Sequence, residues 1–99
     1  TGPVIAVDGA NAAAELGRVM PTGGFDLSTE ILEYINSDKM TFTIDQQQFL
    51  QGYLAVVFLY LNITNKNTVG GGLPVMTGPG FVDKSNVVAV QELVGKGTR

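Results

Sequence analysis

The sequence has 99 residues, enough for one small domain, and carries 6 Lys+Arg against 9 Asp+Glu for a net charge of −3. That balance speaks against nucleic acid or an anionic membrane as partner, since both need basic clusters. Cys and His are both absent, which removes disulfides, thiolate and imidazole metal sites, cysteine nucleophiles and histidine-dependent triads.

Pro3 to Val7 is a short apolar run with β-branched residues that stops at Asp8-Gly9, and it reads as a buried strand and turn. Residues 10–16 are Ala-rich, with Gly17 as the stop, and predict a short helix. Residues 20–26 read as a weak strand with a glycine pair. Residues 27–36 predict a helix capped by Ser28, with Leu27 and Leu32 at the staple positions and Ile31, Leu32 and Ile35 on one face. Residues 40–44 have strand composition and end at Asp45. The longest predicted helix runs from Gln47 to about Thr64, and its apolar residues lie on every face, as in a largely buried helix. A Gly-rich loop over 65–72, a strand over 73–77, a turn at Gly78-Pro79-Gly80 and a brief extended piece over 81–83 follow. Ser85 is placed to cap a last helix that Gly95 ends, and a polar tail covers 96–99.

Strands alternating with helices predict an α/β fold with a parallel sheet flanked by helices. Only 15% of residues are charged while 44% are apolar. An apolar chain this short, without cross-links, reads as a piece of something larger or as one that needs a partner. The sequence begins with Thr1 rather than Met, which fits a removed N-terminal segment or a fragment. Charge is uneven, with −5 over residues 1–65 and +2 over residues 66–99.

Asp8, Asp26 and Asp45 each follow an apolar predicted strand. In an open parallel sheet the carboxyl ends of strands line one edge, where ligands bind. Carboxylates gathered there suit a polyhydroxylated ligand, whose hydroxyls donate charge-assisted hydrogen bonds. Gln46 and Gln47 add donors and acceptors, and Phe25, Phe42 and Phe49 could face a sugar ring. Taken singly, each Asp is equally explained as the cap of a following helix. A divalent cation is a second reading of the acids, although no Asp-x-Asp-x-Asp-Gly loop is present. Neither Gly70-Gly71-Gly72 nor Gly95-Lys96-Gly97-Thr98 has the context of a phosphate cradle.

These motifs join into a resemblance. Gly24-Phe25-Asp26, Thr43-Ile44-Asp45-Gln46-Gln47 with Leu50-Gln51-Gly52-Tyr53, Leu73-Pro74-Val75, Thr77-Gly78-Pro79 and Phe81-Val82-Asp83 occur in this order. Together they resemble the C-terminal lobe of the type I sugar-binding proteins of bacterial ABC importers, of the ribose- and galactose-binding kind. The resemblance covers nearly the whole chain and is densest over residues 23–88.

It implies a two-lobed fold, of which residues 1–99 are part of the C-terminal lobe. It implies a hinge crossing near residues 77–83 and a helix over 85–95 that returns toward an N-terminal lobe not included in the chain. It implies ligand contacts from Asp8, Asp26 and Gln46, and less directly from Asp45 and Phe42. The implied function is non-enzymatic: two lobes close over a sugar and deliver it to an ABC permease, without a cofactor or metal. The implied location is periplasmic or extracellular, with anchoring to the lipid or cell surface in a Gram-positive host.

The sensor domain of a sugar-responsive transcription regulator shares the lobe fold and is the alternative. A small hydrolase or phosphotransfer domain using Asp8 and a metal is a third expectation. Gln48 stands where many relatives carry Pro, a change expected to leave the contacts untouched. The stretch from Asp8 to Gly24 is short for a helical crossover, which takes a dozen or more residues.

Overall fold

The short strands β1 (Gly23–Phe25) and β2 (Phe42–Asp45) pair in parallel, with Gly24 opposite Thr43 and Phe25 opposite Ile44. A third strand, β3 (Gly80–Asp83), pairs with β2, so the sheet order is β1-β2-β3. This computed structural model describes residues 2–99. The fold is α/β with flanking helices, as expected, but β3 runs antiparallel to β2 and makes the sheet mixed. The intervening chain reaches β3 from the carboxyl end of β2, beside Asp45, and so runs back along it.

Strand alternation divides the sheet into two unlike faces. The row Gly24–Thr43–Val82 points into the core, where Thr43 and Val82 are fully buried. The row Phe25–Ile44–Phe81 points the other way, and Phe25 and Phe81 are about half exposed at 47% and 56%. Helices cover only the first face.

Helix α1 (Pro3–Glu15) replaces the strand expected over residues 3–7. The proline near its start lacks an N–H that would be unpaired there in any case, and the alanines that follow are the strongest helix formers. The interval to Gly24 is too short for a strand, a helix and a return. A single helix on the core face of β1 buries Val7, Ala10 and Ala13 instead. Gly17 ends it as expected, in the left-handed region at φ 62°. The Arg18 N–H donates to the Ala13 carbonyl and the Gly17 N–H to that of Ala14. Gly24 is the close approach, since a Cβ there would lie 2.9 Å from that of Ala6.

Helix α2 (Thr29–Asn36) is capped as the sequence predicts, with the Ile31 N–H donating to Ser28 Oγ at 3.1 Å. Its Ile31, Leu32 and Ile35 form the centre of the core with Met40, Val82, Val87 and Val90. Helix α4 (Val87–Gly95), read from the sequence as returning toward an absent lobe, packs here on α2 and β3. Its N-cap residue is Asn86 rather than Ser85. Ser85 turns back to Asp83, donating its hydroxyl and its N–H (2.8 Å) to the Asp83 carboxylate.

Helix α3 (Gln48–Asn65) contradicts one expectation outright: none of its residues is buried. Its apolar residues on every side call for surroundings that the described residues do not provide. It extends the molecule to 58 Å in its longest dimension, against 26 and 21 Å in the others. After it, Gly70, Gly71 and Gly72 make a tight turn with positive φ at all three, and residues 73–77 run without the expected strand. No helix among the described residues is long and apolar enough to cross a membrane.

Candidate functional site

Because β1 and β2 are parallel and in register, the turns that follow them lie side by side. Asp26 follows β1, and Asp45 closes β2 ahead of Gln46, Gln47 and α3. Both turns use the left-handed region at a residue other than glycine, Asp26 at φ 68° and Gln47 at φ 60°. Such backbone carries strain and persists where its surroundings fix it.

Here the surroundings are explicit. The Asp26 N–H donates to the Ile44 carbonyl at 2.8 Å, and the buried Thr43 hydroxyl donates to the Asp26 carbonyl at 2.8 Å. The Gln47 N–H donates to Asp45 Oδ1 at 2.7 Å, and the Gln47 side-chain amide donates to the Thr77 carbonyl. The Thr77 hydroxyl and the Gln51 amide both donate to the Gln46 carbonyl, at 3.0 Å each.

The side chains of Asp26 and Gln46 meet at this edge, with Gln46 Nε2 donating to Asp26 Oδ1 at 2.7 Å. Asp26 is half-buried and Gln46 exposed. Both border one open hollow, and Gln46 borders a second that also shares Phe25. One, of about 310 Å³, is lined by Gly2, Phe25, Asp26 and Gln46. The other, of about 320 Å³, runs from Phe25 and Ile44 past Gln46 and Gln51 to Thr77 and Pro79. An apolar wall with a few convergent polar groups is the usual make-up of a small-molecule site.

The remaining residues singled out from the sequence lie elsewhere. Asp45 is fully buried, and both its oxygens are engaged. Oδ1 accepts from Gln47 as above, and Oδ2 pairs with Arg99 Nε at 2.8 Å. Strand alternation turns Asp45 to the same face as Thr43, away from the hollows. Its carboxylate therefore braces the turn and is not presented to a ligand.

Phe42 packs its ring against Phe81, with centroids 5.8 Å apart, and over Gly23, where a Cβ would lie 2.6 Å from Phe42 Cζ. Asp8 lies exposed on α1 instead of at a strand end, and no hydrogen bond joins it to Asp26 or Gln46 among the described residues. The premise of Asp8, Asp26 and Asp45 along one rim is corrected accordingly. Residue 8 is helical and residue 45 points inward, so of the three acids only Asp26 faces a hollow. Among the described residues, no three acidic side chains come close enough together to hold a metal ion.

Sequence reasoning missed two contributors. Gln48 Nε2 also donates to Asp26 Oδ1, at 2.8 Å, so residue 48 touches a side chain that the resemblance implies as a ligand contact. Its signal was the unbroken run Gln46-Gln47-Gln48. Arg99 has no local signal at all, since it lies 54 residues from its partner Asp45.

The chain is 35% identical over 71 residues to the xylose/arabinose-binding protein XylF of Sulfolobus acidocaldarius, a match covering 72% of the chain and 17% of that protein. It superimposes with a TM-score of 0.84 and 43% identity on a carbohydrate transporter from Acidothermus cellulolyticus solved in complex with myo-inositol, covering 99% of the chain and 34% of that structure. No protein-family model matches the chain. The chain is thus similar in sequence and fold to a segment of proteins named for sugar binding and carbohydrate transport. It spans about a sixth of the curated relative and about a third of the solved one. Both relatives are named for binding or transport, not for a reaction.

Proposed function

We propose that this chain supplies one wall of a carbohydrate-binding cleft in a protein that captures a sugar or polyol for import. The observation that carries the reading is the Asp26–Gln46 pair, an acceptor-rich carboxylate joined to an amide above an apolar hollow. Sugar hydroxyls match it, because each both donates to a carboxylate and accepts from an amide. The relatives named for xylose, arabinose and myo-inositol support the same ligand class.

The second wall comes from the part of the protein outside this chain. The chain covers 34% of its solved relative, and α3 and the row Phe25–Ile44–Phe81 lie uncovered within it. In this reading the chain passes between lobes on either side of α3. It leaves at Gln46-Gln47 and re-enters from Thr77, within the hinge crossing near residues 77–83 that the resemblance implies. Thr77 binds both Gln46 and Gln47, so the two crossings are tied together beside the ligand wall. A ligand touching both walls selects the closed arrangement. The closed form is then the one offered to an ABC permease, in the periplasm or outside the cell.

A thermal-shift screen of the full-length protein against pentoses, hexoses and cyclic polyols tests the reading. At saturating ligand, one class raises Tm, because binding only the folded state stabilises it. No shift with any of them, and no heat of binding by calorimetry, contradicts it.

A further inference from the structure

Gln48 is the first residue of α3, exposed, one residue beyond the turn that carries the proposed ligand wall. Its amide Nε2 donates to the same oxygen, Asp26 Oδ1, that already accepts from Gln46 Nε2, at 2.8 and 2.7 Å. A carboxylate oxygen has two lone pairs, so these two amides fill Oδ1. Oδ2 makes no hydrogen bond among the described residues and is left to face a ligand.

We infer that Gln48 is a positioning residue for carbohydrate recognition, clamping Asp26 Oδ1 together with Gln46 so that Oδ2 is held toward a ligand hydroxyl. This rests on the carbohydrate reading above. Two donors on one oxygen fix both the position and the rotation of the carboxylate, and with one donor it can swing about the remaining bond. The Asp26 backbone is pinned independently by Thr43 and Ile44, so the clamp acts on the side chain alone. Pre-setting a group in its bound geometry lowers the ordering cost of binding.

The test uses the full-length protein and the carbohydrate identified by the thermal-shift screen, with two variants. Gln48→Met keeps the length of the side chain and removes the amide. Affinity is expected to fall about tenfold, the size of a charge-assisted hydrogen bond, while the Tm of the ligand-free protein stays unchanged. Gln48→Glu puts a second carboxylate against Asp26. Affinity at about pH 7 is expected to fall further than in the Met variant, and to recover partly toward about pH 5 as the two acids share a proton. Wild type should show no such recovery. A packing role alone would not produce that pH profile.

A ligand-independent readout accompanies these. The side-chain amide resonances of Gln48 in the NMR spectrum should lie away from those of a free amide in the wild type and move toward them in Asp26→Ala. Wild-type affinity in both Gln48 variants, whatever that resonance shows, overturns the positioning role and leaves the carbohydrate reading standing. A wild type that binds no carbohydrate overturns the reading itself, whatever the amide shows.

Discussion

Helix α2 buries Ile31, Leu32 and Ile35 almost completely within 8 residues, whereas α3 runs for 18 residues and buries none. The difference is not one of hydrophobicity, for α3 exposes Phe49, Tyr53, Val56, Leu59, Tyr60 and Ile63. Helix α2 has one apolar face and the whole of its matching surface, formed by α4, Val82 and Met40, lies within the chain. Helix α3 has apolar faces all round, and no such surface lies among the described residues. Amphipathicity says how many sides of a helix need covering. It does not say whether the cover belongs to the same segment. An 18-residue helix in water without tertiary support is marginal on its own.

The comparison can be broken most severely at the centre of the packed region. Leu32→Ala should destabilise the full-length protein by about 2–5 kcal/mol, read by denaturant unfolding, because the fully buried side chain leaves a cavity. A loss below about 1 kcal/mol would mean that this core is not built as described.

Asp45 comes next. It joins the packed region to the root of α3, and Asp45→Ala removes the acceptor for both Gln47 and Arg99. Breaking a buried ion pair costs about 3–5 kcal/mol, and the partial exposure of Arg99 points to the lower end. Arg99→Ala should cost at least as much, because it leaves the fully buried Asp45 carboxylate without its cation, with only the Gln47 N–H to steady it. A cost below about 1 kcal/mol in Arg99→Ala would show that the pair does not hold Asp45 in place.

The uncovered state of α3 is sharpened by hydrogen exchange. In the 99-residue chain, amides of α2 should be protected and those of α3 should exchange near the rate of an isolated helix. In the full-length protein the α3 amides should become protected, and unchanged fast exchange there would remove the argument for a covering lobe.

The smallest effect concerns Asp83. The Ser85 hydroxyl, and after it the Ser85 N–H, hold the Asp83 carboxyl below the ordinary aspartate value. A depressed folded-state pKa adds stability that is present above the unfolded value and lost as pH falls through the folded one. Ser85→Ala should move the Asp83 titration, followed by NMR, upward toward the ordinary value. No movement would assign the turn to the backbone N–H alone.

How much was legible in the sequence follows the same division. Ser28, the face of α2 and the convergence of Asp26 with Gln46 could be read because each depends on local spacing or on two parallel neighbours. The inward turn of Asp45 was also readable, since strand periodicity puts it with Thr43. Helix α1 was not, because β-branched residues over 4–7 favour a strand, and the short chain to Gly24 decides otherwise only in three dimensions. The antiparallel run of β3 and the Arg99 pairing depend on long-range return of the chain, which no window of sequence contains.

The central claim is that Asp26 and Gln46 together form a wall that grips a carbohydrate. Calorimetry of Asp26→Ala in the full-length protein, with the sugar or polyol that stabilises the wild type, tests it directly. The account predicts a loss of affinity of at least tenfold, consistent with a bound hydroxyl left unpaired in a closed cleft. Wild-type affinity in a variant that folds normally would contradict it.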